Sequence, residues 1–340
     1  MLAVAVTLAA VHEARQPNAP RPDVPGIALF TLGAAAVVYG LIRAADDGWG
    51  DAYAWGPIAG GLVVLAVWVA VERRLAAPML DVRLFTSRSF TGIMVAALVV
   101  NTAAFASLIY ISLWLQSIGH LSPLQAGCVF IPLSALSFLV AALTGRLLQT
   151  KPPRFVLAAG LLLIGAGSLL MAVVGADDTW RVLIPGLAVL GAGAGIANPI
   201  LASAALASVP RERSGMASGA VNTFRQLGFA IGIAVLGSVF TARATSVLSD
   251  ARTPDASGTA SALSGGQADR IAAAAPAGQR AALTDLLASA FAGGLRDVLL
   301  VAGIAGVVGS LLVVALVRAA APHAGHRPAP QGQPQAAASR

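Results

Sequence analysis

The chain has 340 residues, 57% of them hydrophobic and only 11% charged, with a formal net charge of +7. A soluble domain carries roughly 25% charged residues, which excludes a single soluble core, whereas a bilayer accommodates this much apolar surface. The positive charge sits at the ends of apolar segments rather than in one patch, a membrane pattern that argues against nucleic acid as a partner.

Residues 1–11 are apolar but too short to span, and no basic stretch precedes them. They are expected to be the end of a transmembrane helix whose beginning is absent, not a signal peptide. Eight full spanning candidates follow, at 25–43, 54–71, 90–115, 124–146, 154–174, 181–203, 218–240 and 297–317. Each is long and apolar enough to cross a bilayer, and in lipid each must be helical to satisfy its backbone. The expected class is an all-α integral membrane protein.

Linkers alternate in charge. The basic ones hold Arg15 and Arg21; Arg73, Arg74, Arg83 and Arg88; Arg146, Lys151 and Arg154; Arg211 and Arg213; and, in the tail, Arg318, Arg327 and Arg340. The short linkers between them carry Asp46, Asp47, Asp51, Asp177 and Asp178. This alternation predicts that the basic linkers and the C-terminus face the cytoplasm of a cell-membrane protein. Trp49, Trp55, Trp114 and Trp180 then fall at the outer interface and Trp68 near the inner one, depths that indoles favour. Residues 241–296 are expected to form a long outer loop, with a helix over 279–292 lying on the membrane face. The Pro- and Gln-containing tail 319–340 reads as disordered.

The stretch 204–240 stands out. A charged turn, Pro210-Arg211-Glu212-Arg213-Ser214-Gly215, leads into a span that carries Arg225. Helical spacing puts Ser218, Asn222 and Arg225 on one face, with Gln226 at its edge. Arg225 lies about 10 Å from the cytoplasmic end at 1.5 Å per residue, so it can snorkel, and a brace or gate at that end is the expected role. Small residues at i,i+4 spacing, Gly191 with Gly195 and Gly228 with Gly232, predict close helix contact; Gly215 with Gly219 and Gly56 with Gly60 share that spacing. Pro132, Pro185 and Pro199 can kink their helices. Asn101 and Thr102 fall near mid-membrane in 90–115, Tyr110 and Gln116 follow, and Asn198 interrupts 181–203.

No Asp or Glu lies within the core of a complete span, and the histidines occupy linkers and the tail, so no proton site is evident. No His-Glu-x-x-His, Cys-x-x-Cys or Gly-x-Ser-x-Gly pattern is present, and no carboxylates cluster. An enzyme, a metal site and a cofactor are therefore not expected. Cys128 has no second cysteine to pair with.

Three stretches resemble a known family. They are Leu113-Trp114-Leu115-Gln116 through Ser122-Pro123-Leu124-Gln125-Ala126-Gly127 to Ile131-Pro132; Gly145-Arg146-Leu147-Leu148 through Arg154; and 210–240 with its run Asn222-Thr223-Phe224-Arg225-Gln226-Leu227-Gly228. Together they resemble the major facilitator superfamily, in its group of drug:proton antiporters with fourteen helices (QacA/EmrB-like). The resemblance implies that 1–11 ends the sixth helix, 25–71 holds two central helices, and 90–318 forms the C-terminal six-helix bundle. It departs from the family turn at Gln149 and Lys151-Pro152-Pro153, and it covers about 60% of a whole member, most of the N-terminal bundle being missing. The function implied is proton-coupled efflux of drugs or other amphipathic small molecules by a longer protein, with protons and the missing half as partners. The alternatives are a dedicated exporter of a host-made antibiotic or metabolite, and a truncated membrane protein or scaffold that does not transport. Asn101, Tyr110 and Gln116 are the expected cavity residues. Arg146, Asn222, Arg225 and Gln226 are the expected gating residues.

Overall fold

The computed structural model describes residues 23–317 apart from 48–49, 51, 76–77, 79, 149–150, 177 and 211–212. The expected helix remnant at 1–11, the tail 319–340, Trp49 and Arg211 lie outside the described residues. Among the described residues every regular element is helical. We label the helices α1 (Val24–Asp47), α2 (Ala52–Glu72), α3 (Arg88–Ser117), α4 (Pro123–Val129 with Ile131–Leu147), α5 (Pro153–Met171), α6 (Ile184–Ala207), α7 (Ser214–Asp250), α8 (Ala256–Ser264), α9 (Ala268–Ala274) and α10 (Arg280–Leu316). Seven of these are long and apolar enough to cross a membrane, or eight if bent α4 is one span.

Local chemistry sets the helix starts. Asp23 Oδ1 accepts a 2.9 Å bond from the Gly26 amide and caps α1. Ser122 and Gln125 form a reciprocal capping box at the start of α4. Prolines occupy the first turns of α4, α5 and α6, where a missing N–H costs nothing. Within α4 the axis bends by 42° at Phe130. Pro132, two residues on, has no amide to offer the carbonyl a turn earlier, which is the physical cause of such a break.

The spans pack as pairs. α5 lies between α6 and α10, α4 rests on α6, and α7 lies against α10, α3 and α1. α1 and α2 form a hairpin, and α1 carries it onto α7. Close approach rests on glycine. Gly160 in α5 sits against Gly193 in α6, and Gly165 in α5 against Gly303 in α10. Gly191 and Gly195 lie on the backbone of α4 at Leu133 and Ser137. Gly228 lies on the α3 backbone at Leu98, and Gly232 over Thr102 and Ala106. By contrast, a Cβ at Gly56, Gly60, Gly215 or Gly219 would meet nothing within 4 Å.

One expectation is corrected. The long loop over 241–296 is largely helix. α7 runs on to Asp250, and α10 begins at Arg280, so 279–292 is not a separate surface helix. The reason is legible in residue type: 241–250 contains neither Gly nor Pro, and Leu283, Leu287, Phe291 and Leu295 recur every four residues into the span. At 37 residues each, α7 and α10 reach about 55 Å, well beyond a hydrocarbon core of about 30 Å. α7 stops only where Arg252 and Asp255 adopt positive φ, at 56° and 48°, around Thr253-Pro254. Two tryptophans are covered by neighbouring helices. Trp114 and Trp68, 2% and 6% exposed, are packed inside the protein. Trp114 stands one turn beyond Tyr110, which stacks on Phe240 at 5.6 Å, and Phe240 meets Phe291 edge-on at 4.8 Å.

On the side of the basic linkers, one ion pair ties two loops. Arg213, at the start of α7, reaches Asp81 Oδ2 at 2.6 Å. The other oxygen of Asp81 accepts from the Arg83 amide at 3.0 Å, and its own amide points to Met216 Sδ at 3.3 Å.

Two outcomes follow for stability in detergent. Gly228→Ala is expected to cost about 1–3 kcal/mol, because its new methyl meets the Leu98 backbone rather than a yielding side chain. Gly219→Ala on the same helix is expected to be neutral or slightly stabilising. Unfolding midpoints of the two variants check the contrast; equal losses would refute it. For Asp81 and Arg213, a double-mutant cycle is expected to return about 0.2–1 kcal/mol, since the arginine side chain is 45% exposed. A coupling of zero would remove the pair as a loop tie.

Candidate functional site

The polar residues of α3 fall at a change of helical pitch. Asn101–Ala106 form a π turn between two α-helical stretches. Such turns are rare and concentrate at functional sites. Asn101, 9% exposed, donates from Nδ2 to the Ala97 carbonyl at 3.0 Å. The next residue, Thr102, donates to the Gly228 carbonyl of α7 at 2.7 Å. About two turns later Tyr110 donates its hydroxyl proton to the Ile233 carbonyl of α7 at 3.1 Å. Thr102 and Tyr110 thus stand along the seam between α3 and α7, where Gly228 and Gly232 let the backbones approach, while buried Asn101 bonds back within its own helix.

Gln116 stands elsewhere. Its Nε2 donates to Ser112, to the carbonyl at 3.2 Å and to the hydroxyl at 3.0 Å. Ser112 lines a shallow concavity of about 330 Å³ with Leu108, Ile109, Leu113 and Phe130. The structure therefore separates the three cavity candidates: Tyr110 on the α3–α7 seam, Asn101 buried in the π turn, and Gln116 beside an open face.

The gating candidates also divide. Asn222 and Gln226 are exposed on α7, and Arg225 between them is half-buried. Arg225 forms no ion pair among the described residues. Arg146 is exposed in the last turn of α4, where a cation complements the helix dipole. α4 packs chiefly on α6, and α7 chiefly on α3, α1 and α10 with lighter contact to α6.

Asp81 and Glu72 were not singled out from sequence, and Asn198 was noted only as a polar residue within its span. Asp81, in the basic linker, holds Arg213. Asn198 in α6 donates to the Ala194 carbonyl at 3.0 Å but leaves Oδ1 buried without a partner. Glu72, assigned by its neighbours Arg73 and Arg74 to the same basic linker, is 2% exposed. A signal was present for Glu72: it closes an apolar run at helical spacing from the buried Trp68. Nearby, an apolar cavity of about 330 Å³ is lined by Phe30, Trp68, Leu80, Phe85, Met216 and Phe224, among others. Phe30 and Trp68 are 5.0 Å apart there, and Phe85 and Phe224 5.7 Å. At the opposite end, His120 faces Asp269 at 3.6 Å beside a 350 Å³ cavity that Asp285 also lines. Among the described residues, no group of three or more His, Cys, Asp or Glu side chains is placed to hold a metal ion. What the arrangement offers chemically is a helical scaffold with small polar groups at helix seams and open concave faces.

Comparison with known proteins fits this architecture. Residues 24–233 match the family model described as Major Facilitator Superfamily. Among similar proteins, the "Probable actinorhodin transporter" of Streptomyces coelicolor is 34% identical over 251 residues, covering 70% of this chain and 43% of that protein. "Multidrug resistance protein Stp" of Mycobacterium tuberculosis is 32% identical over 241 residues, covering 71% and 45%. "Multidrug efflux pump LfrA" of Mycolicibacterium smegmatis is 31% identical over 294 residues, covering 86% and 58%. The chain spans about half the length of the curated relatives it matches. With an all-helical fold of membrane-spanning length and a family match over more than half of its residues, the chain belongs to the Major Facilitator Superfamily.

Proposed function

We propose that the chain is the C-terminal portion of a fourteen-helix exporter that expels drugs or other amphipathic small molecules in exchange for protons. The observation that carries this reading is the set of relatives, which are named for multidrug resistance, efflux or antibiotic export. In this reading α1 and α2 are the two central helices, α3–α7 and α10 the six-helix bundle, and the basic linkers and C-terminus are cytoplasmic. A six-helix N-terminal bundle completes the carrier, and the two bundles alternate about a central cavity.

Gln116 and Ser112 border the substrate path on the open face of α3. Tyr110 acts at the seam and Asn101 in the π turn of the same helix, where a change in the α3–α7 contact exposes them. Arg225, flanked by Asn222 and Gln226, and Arg146 brace one conformation at the cytoplasmic end. A second reading, export of one antibiotic made by the host, is favoured by relatives named for single compounds, such as the "Tetracenomycin C resistance and export protein" of Streptomyces glaucescens.

The test is dye and antibiotic extrusion from inside-out vesicles. The chain is expected to show proton-gradient-dependent transport when joined to, or co-expressed with, an N-terminal bundle, and none alone. Robust proton-driven transport by the chain alone would refute the half-carrier reading. In the complete carrier, Arg225→Ala is expected to lower transport about tenfold, the effect of a shift of about 1.4 kcal/mol in a conformational equilibrium, at unchanged protein level. Unchanged transport would remove Arg225 from the gate. Extrusion of many unrelated cations separates multidrug efflux from the single-antibiotic reading.

A further inference from the structure

Among the described residues, no acidic or basic side chain is buried as fully as Glu72. It is the last residue of α2, one turn beyond Trp68. Neither carboxylate oxygen has a hydrogen-bond partner. Asp23 faces it from the start of α1. Its Oδ1 is used by the Gly26 amide, but its Oδ2 is buried and also lacks a partner. A Cβ on Gly26 would run into both Asp23 Oδ2 and Glu72 Oε1, the latter at 2.8 Å. The two carboxyl groups therefore converge on the one spot where α1 has no side chain.

A third group belongs to the same site. Trp68 is 6% exposed, and its indole N–H is directed toward the Glu72 carboxyl without closing a hydrogen bond of good geometry. The backbone of Leu80 approaches from the linker. No cation pairs with either acid among the described residues. Arg73 and Arg74 point into solvent beyond the helix end, and Arg83 is exposed on its 3₁₀ turn. Asp81 is taken by Arg213. On α7, the other cation at this end is half-buried Arg225, which has no carboxylate partner.

Two carboxylates brought together away from water, with no counter-ion, are opposed by both desolvation and repulsion. The conflict is relieved by a proton or by a bound metal cation. A hard cation needs about six oxygen ligands, and the site offers two carboxyl groups. It also points an N–H into the site, a group that seeks an acceptor oxygen and repels a metal ion. We propose that Asp23 and Glu72 form a proton-binding site, one proton being held between Glu72 and Asp23 Oδ2 at neutral pH, at the joint where the α1–α2 hairpin meets the bundle. The step is simple protonation of a carboxylate, with no redox change and no leaving group. The proton ties the first residue before α1 to the last residue of α2. Its loss leaves two like charges against Gly26, next to the linker that Asp81 and Arg213 hold onto α7. The site borders the apolar cavity that Trp68 and Leu80 line together with Met216 and Phe224 of α7, and it does not depend on the efflux reading.

The test is infrared spectroscopy of the purified chain in lipid nanodiscs. The wild type is expected to show the carbonyl stretch of a protonated carboxyl group at neutral pH, sensitive to deuterium exchange. E72Q is expected to lose it, and D23N to move or weaken it. Folding then takes up a proton, so wild-type thermal stability is expected to fall as pH rises from the ordinary carboxylate range toward neutral, with a slope approaching one proton per chain; E72Q should lose that slope. Absence of a protonated carboxyl in the wild type at neutral pH overturns the proposal whatever the variants do. So does a band that survives in the D23N/E72Q double variant, or stabilisation by sodium or calcium in place of acid.

Discussion

Backbone lying on backbone is the contact from which this molecule is assembled. In lipid, apolar side chains gain little from touching one another, so helices associate through close van der Waals fit and a few hydrogen bonds. Here the fit is made where glycines of one helix rest on the main chain of another: Gly160 on Gly193, Gly165 on Gly303, Gly195 on Ser137, Gly228 on Leu98. At such distances short polar side chains reach across. Thr102 finds the Gly228 carbonyl, Tyr110 finds Ile233, and Ser310 of α10 donates to Ala158 of α5 at 2.8 Å. Each such bond contributes about 0.6 kcal/mol in a membrane setting, so their value lies as much in fixing register as in strength.

Charge is handled by a different device. Two of the described ion pairs sit at helix ends or linkers, Asp81 with Arg213 on one side and His120 with Asp269 on the other, while Arg243 with Asp297 at 3.7 Å joins the interiors of the long helices α7 and α10. These pairs tie neighbouring segments. Glu72 departs from that pattern. It is fully covered by its own hairpin and the following linker, while the two arginines after it reach water. The α1–α2 hairpin therefore has a polar interior at one end and apolar contacts along the rest, including glycine against glycine at Gly33 and Gly61.

How much of this was legible in the sequence depends on which physical term decides each feature. The spans are readable because crossing a bilayer demands a long apolar run, and every expected span falls on a helix of the structure. Helix ends outside the bilayer were misread for the opposite reason. Ser, Asp and Arg in 241–250 suggest a loop when read as polarity, yet none of them breaks a helix, and the apolar repeat from Leu283 onward carries α10 far past its hydrophobic core. Facing was also hidden. An uninterrupted α-helix would set Asn101, Tyr110 and Gln116 at fixed angles, but the π turn shifts that register, and the sequence carries no mark of it. Trp68 and Trp114 were placed by depth, whereas burial is decided by which helix packs beside them. Glu72 was hidden by its arginine neighbours; Asp23, about fifty residues away in the chain, becomes its neighbour only in the folded hairpin.

The π turn of α3 also has an evolutionary meaning. A π turn is equivalent to an α-helix that has accepted one inserted residue. Removing a single residue from Asn101–Ala106 would restore the regular pitch and rotate Ser107–Ser117 by about 100°, the angle of one residue in an α-helix. Tyr110 would leave Ile233 and Phe240, and a different set of side chains would meet α7. A one-codon insertion or deletion at this point re-presents half of a transmembrane helix to the interior while its length and hydrophobicity hardly change. Proteins of this architecture can thus exchange the chemistry lining a helix seam in one genetic step, without passing through a sequence that fails to enter the membrane.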